Sequence, residues 1–158
     1  MDYFYESSAL CGPRNIRKED IAPMLMNLDF ELGMLISQNV TTFRVIPSPG
    51  FNSYAALSVL NLKRIFPEAE LEVLVGNFNN KLSEKDLSVR DFIITHADRV
   101  IDTEKLRTSE SLSEILISGS SYLVSYSDDD PGFTSSVLEC ARRNGLQLIH
   151  TKSVPVTV

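Results

Sequence analysis

Thr41-Thr42-Phe43-Arg44-Val45-Ile46-Pro47-Ser48-Pro49-Gly50 is the stretch on which the reading of the fold turns. Its first six residues are rich in β-branched and aromatic side chains and read as a strand. Two prolines and a glycine then end it, because proline has no N–H to give to a strand ladder. Asn52 or Ser53 follows as a helix cap, and Ala55, Ala56, Val59, Leu60 and Leu62 carry an apolar helical face through Ile65-Phe66 to a stop at Pro67. A strand, a rigid loop and a helix are thus written within 27 consecutive positions, 41–67.

The same unit recurs on both sides. Upstream, Ala9-Leu10-Cys11 is a short apolar run halted by Gly12-Pro13, read as a first strand. From Lys18, apolar residues at Ile21, Met24, Leu25, Leu28, Leu32, Leu35 and Ile36 recur at steps of three and four, the period of an amphipathic helix. Downstream, Leu71 to Gly76 is a third strand, Asn77 to Lys85 a polar surface loop, and Leu87 to Ala97 a helix. Arg99-Val100-Ile101 reads as a short strand, and Ser111-Leu112-Ser113-Glu114 as a capping box before Ile115-Leu116. Tyr122 to Tyr126 is a strand, Asp130-Pro131 an N-cap with proline at the first helical position, and Asn144-Gly145 the end of that helix. Leu146 to His150 closes the series, and Thr151 to Val158 has no periodicity. No internal repeat and no low-complexity linker stands out.

Alternating strands and helices with short connections imply a mostly parallel sheet, since each parallel return needs a crossover. The expected architecture is a three-layer Rossmann-like α/β fold, with five to six strands covered by helices on both faces. With 158 residues, a single domain spanning 1–158 is expected, because two cores would each be starved of apolar surface.

Composition removes several classes of function. A formal net charge of -6 opposes binding to a phosphate backbone, which relies on clustered Lys and Arg. Cys11 and Cys140 are too few for a disulfide framework and lack metal-ligand spacing, which suits a reducing, cytoplasmic setting. Met1 to Glu6 lacks the basic and apolar regions of a signal peptide, and no run reaches the about 18 apolar residues of a membrane span. His96 and His150 have no carboxylate or cysteine at ligand spacing, so no metal is expected. No cofactor is implied either.

In parallel sheets ligands bind beyond the carboxyl ends of the strands, where strand order reverses. Three loops take that position: Gly12-Pro13-Arg14-Asn15, Ser48 to Ser53, and Asp128 to Thr134. Free N–H groups at a helix start attract phosphate, glycine admits close approach, and a guanidinium such as that of Arg14 grips two phosphate oxygens. Such loops are also common as plain turns, and Thr134 and Ser135 also suit capping. Asp128-Asp129-Asp130 reads first as a solvated loop, and Glu139 as a solvent-facing helical residue.

From about Ala9 to His150 the chain resembles the SLOG superfamily, in particular its YpsA-like branch of small Rossmann-type proteins. Cys11-Gly12-Pro13-Arg14 looks like the branch's first turn. Phe43, Gly50, Asn52, Ala55-Ala56 and Phe66-Pro67 keep the spacing of its second block, and Ser121 to Tyr126, Gly132-Phe133-Thr134, Ala141 and Gly145 follow its third. The chain departs from the pattern at Val45-Ile46, where the family has Ser-Gly, at Asn52 for Asp, at Phe133 for the second Gly, and at Ser111 to Ile117 for basic residues. The resemblance implies a nucleotide or nucleotide-derived ligand held by Gly12, Arg14, Gly50, Asn52, Ser53, Gly132 and Thr134. Two alternatives stay open: hydrolysis or transfer at an N-glycosidic bond of a nucleoside monophosphate, with Glu139 or Asp130 as the carboxylate, and a degenerate domain kept for protein contact. Catalytic residues stay unassigned, and so does assembly into a homo-oligomer.

Overall fold

A computed structural model describes residues 6–78 and 81–152. Six parallel strands form one sheet in the order β4-β3-β2-β1-β5-β6. They are β1 (Glu6–Leu10), β2 (Val40–Val45), β3 (Glu70–Val75), β4 (Arg99–Asp102), β5 (Tyr122–Ser125) and β6 (Gln147–His150). The helices are α1 (Lys18–Ser37), α2 (Phe51–Lys63), α3 (Glu84–His96), α4 (Leu112–Ile117) and α5 (Phe133–Arg143).

The order follows from two directions of travel. From β1 the chain steps outward through α1, α2 and α3 to the β4 edge, then returns past α4 to place β5 on the other side of β1. Strand order therefore reverses between β1 and β5. The side chains sort the layers by the two-residue alternation of a strand. Leu10, Phe43, Val45, Leu71, Val73 and Val124 pack under α1, α2 and α3, with Met24, Leu28 and Leu32 from α1 and Ile93 from α3. Ala9, Cys11, Leu74 and Leu123 face the other way and meet Leu116 of α4 and Val137, Leu138 and Ala141 of α5. The three-layer α/β expectation is met.

Element edges move for local reasons. β1 reaches back to Glu6, because Glu6 to Leu10 lie against Val40 to Val45 although Ser7 and Ser8 are polar. α2 stops at Lys63, three residues short of Phe66, and α3 starts at Glu84, where Ser83 Oγ accepts the Asp86 N–H. At Ser111 the cap forms as expected, its Oγ accepting the Glu114 N–H at 3.2 Å. Gly145, at φ 72°, closes α5: its N–H reaches the Arg142 carbonyl and the Leu146 N–H reaches that of Ala141.

Two predicted N-caps are corrected. α2 is capped by Gly50 at φ 89° and ψ -138°, so neither Asn52 nor Ser53 holds the cap position. α5 is capped by Gly132 at φ 67° and ψ -139°, which displaces Asp130 and Pro131 from the cap and first helical positions. In both loops the glycine turns the chain through a conformation that side-chain-bearing residues rarely adopt, and this fixes where the helix starts. The readings of Met1 to Tyr5, of Asn79-Asn80 within the polar loop, and of Ser153 to Val158 fall outside the described residues. Among the described residues no helix is long and apolar enough to cross a membrane.

Candidate functional site

The loops after β1, β2 and β5 meet at the point where strand order reverses and enclose a cleft of about 450 Å³. Of the seven residues singled out in the sequence, Gly12, Arg14, Asn52, Gly132 and Thr134 line it. Gly50 and Ser53 do not. Gly50 is packed against the backbone of the first loop, where a Cβ would overlap the Arg14 carbonyl. Ser53 Oγ donates to the Ser48 carbonyl at 2.7 Å. Both residues shape the cleft from behind.

The α2 side of the cleft is closed by its own side chains. Asn52, 4% exposed, accepts the Gly12 N–H on Oδ1 at 2.9 Å. Its Nδ2 donates to the Ile46 carbonyl at 2.9 Å and to Ser48 Oγ at 3.0 Å. Above it the Phe51 N–H donates to the Pro13 carbonyl at 3.0 Å, tying the first loop to the start of α2. Gly12 is obligatory here because a Cβ would overlap the Phe51 ring. These bonds occupy donors and acceptors that would otherwise face a ligand.

The α5 side is open by comparison. Thr134 is 3% exposed, and its hydroxyl lies 3.5 Å from Cys11 Sγ, a weak partner. Burial pushes the Cys11 thiol up to about 12; the Thr134 hydroxyl opposes the shift and the Asp130 charge adds to it. Burial therefore favours the protonated thiol at neutral pH. Arg14 is exposed, and among the described residues its guanidinium enters no ion pair. It is the charged side chain among the described lining residues, so the cleft presents positive charge at the mouth.

Neither carboxylate considered for acid–base work reaches the cleft. Glu139 is exposed on α5 and does not line it. Asp130, 4% exposed, turns inward and accepts from the Tyr126 N–H at 3.0 Å, the Ser127 N–H at 3.0 Å and Ser127 Oγ at 2.7 Å. It braces the loop that precedes Gly132. Among the described residues lining the cleft there is no carboxylate and no histidine. His150 Nδ1 instead meets the buried Ser125 Oγ at 2.9 Å, and His96 Nδ1 the Phe92 carbonyl of its own helix.

Three lining residues escaped sequence reasoning: Cys11, Phe78 and Leu112. Phe78 is the one aromatic in the run Asn77 to Lys85, which reads from the sequence as a polar surface loop. Leu112 carried no sign of its place, because α4 reaches the cleft only through the sheet topology. Ile46 lines the floor at 8% exposure, Phe51 lies wholly in the core, and Phe133 stands 41% exposed at the rim. The chain matches no family model and no curated protein.

Proposed function

We propose that the chain binds a nucleotide or nucleotide-derived small molecule in the cleft beyond β1, β2 and β5, and that it acts as a binding or sensing module rather than as a catalyst. The observation that carries this reading is the make-up of the cleft. Loops separated by up to 122 positions, Gly12 to Thr134, supply a guanidinium, a glycine-started helix and a hydroxyl to one cavity whose described lining offers no carboxylate and no histidine. A phosphate suits the positive side of such a cavity, because helix starts and Arg both favour anions. The resemblance to the YpsA-like branch supports the same ligand class.

The two alternatives have less support. Cleavage of an N-glycosidic bond needs a positioned carboxylate, and Glu139 and Asp130 are both directed elsewhere. A remnant kept for protein contact would have its cleft filled by Ile46, Phe51 and Phe133, yet Phe51 is withdrawn into the core and the volume is open.

Thermal unfolding with AMP, ADP, ADP-ribose and NAD tests the proposal. A ligand at about 100 times its Kd adds about 2.7 kcal/mol, which for a domain of this size raises the Tm by about 5–11 °C. Arg14→Ala removes that rise and leaves the unliganded Tm within about 2 °C of the parent, as expected for an exposed residue. No rise with any of the four overturns the proposal.

A further inference from the structure

The sequence Pro-Gly-Phe, a polar residue, then Ser occurs twice, at 49–53 and 131–135, each time starting a helix that follows a strand adjacent to β1. The two glycines hold nearly the same conformation, φ 89° and ψ -138° against φ 67° and ψ -139°. Each glycine is followed by a phenylalanine at the first position of its helix. Their surroundings differ. Phe51 is 0% exposed and belongs to the core, roofed by Gly12. Phe133 is 41% exposed, belongs to neither apolar cluster, and lines the cleft.

An aromatic ring that packs into no core leaves apolar surface in water and contributes little to folding. Phe133 does so at the rim of a cavity whose apolar wall is completed by Ile46, Phe78 and Leu112, and whose polar wall carries Arg14 and Thr134. A free phosphate or a sugar phosphate fills only the polar wall. A ligand that joins a flat ring to an anion uses both.

We propose that Phe133 is the base-stacking and specificity-determining residue of the cleft, selecting a nucleoside phosphate over a phosphate ester that lacks a ring. This rests on the nucleotide-binding reading and adds the residue that recognises the ring. Every base has a π-face, so stacking accepts purines and pyrimidines alike, with purines favoured by area. Its counterpart Phe51 cannot serve, because it is under Gly12.

The test is calorimetric titration of the full chain with AMP, GMP, CMP, UMP and ribose 5-phosphate, in the parent and in Phe133→Ala, Phe133→Leu and Phe133→Trp. The parent is expected to bind at least one nucleotide about tenfold or more tightly than ribose 5-phosphate. In Phe133→Ala and Phe133→Leu that ratio falls to near one while ribose 5-phosphate binds as before, and Phe133→Trp restores it. Leu keeps apolar bulk without a flat ring, so a ratio preserved in Leu and Ala overturns the stacking role and leaves the nucleotide site standing. A parent that binds none of the nucleotides overturns both.

Discussion

Asn52→Asp is the smallest change that tests how the cleft is built, since it exchanges one NH₂ for one oxygen. The amide has a forced orientation: the Gly12 N–H needs an acceptor, so Oδ1 faces it and Nδ2 faces the Ile46 carbonyl and Ser48 Oγ. A carboxylate keeps the first bond and loses the donor of the other two, placing an oxygen against the Ile46 carbonyl at a site only 4% exposed. Each lost bond that strands a buried partner costs about 1–3 kcal/mol, so two cost about 3 kcal/mol when the serine hydroxyl turns to compensate in part. That lowers the Tm by about 6–12 °C at pH 7. Burial and the carbonyl both favour the protonated acid, so the new Asp has a folded-state pKa above its unfolded value near 3.9. A raised pKa destabilises above that range and recovers stability as pH falls, when the acid O–H donates to Ile46. The deficit relative to the parent is therefore larger at pH 7 than at pH 5 when both are unfolded thermally and followed by circular dichroism. A variant that melts with the parent at pH 7, or whose deficit widens towards pH 5, refutes this bonding scheme.

Two further expectations follow from the backbone and the ion pairs. Gly132→Ala meets nothing within 4 Å and bears only the strain of its positive φ, about 1–3 kcal/mol, whereas Gly50→Ala adds overlap with the Arg14 carbonyl, so urea unfolding shows the larger loss at Gly50. The buried Glu72 is pushed up by burial, but hydrogen bonds from Arg99 and Arg44 outweigh this and hold its carboxyl below the usual range. A depressed pKa stabilises above the unfolded value and is lost as pH falls, so the parent loses more stability than Glu72→Gln between about pH 5 and pH 3 on acid titration. At pH 7 the same variant is destabilised, because Arg44 and Arg99 lose their shared partner; equal stability at pH 7 argues against the ion pairs.

The fold was legible because its signals are local. Breakers such as Pro47, Pro49 and Gly145, and the apolar period of Lys18 to Ser37, act within a few residues of themselves. The N-caps were misassigned by the same locality: Asn52 and Asp130 are good capping residues, but each spends its side chain elsewhere, Asn52 on Gly12 forty positions away and Asp130 on Tyr126 and Ser127. Glycine at positive φ leaves little trace in a sequence except the Pro-Gly pair that occurs in both loops. The three site loops were found from chain order. Five of the seven residues singled out in them line the cleft; Gly50 does not, because the first loop covers it and leaves its local equivalent Gly132 open.

That difference is what gives the cleft its polarity. A parallel sheet whose order reverses at β1 offers two helix starts, those of α2 and α5, to one ligand. The chain has filled the first with Asn52 and roofed it with Gly12 and Pro13, while the second keeps a buried Thr134 beside a weakly bonding thiol and an exposed Phe133. The bonds that fill the α2 side also hold Arg14 in place, since the Gly12 N–H and the Pro13 carbonyl are both fixed from α2. The backbone that leads to Arg14 is thus tied down at the mouth of the cleft, beside the open start of α5. A change at Asn52 is therefore expected to act on the ligand at a distance, by loosening Arg14, and to weaken phosphate-bearing ligands with and without a ring by the same factor. A change at Phe133 is expected to act on the ring alone, as the stacking proposal requires.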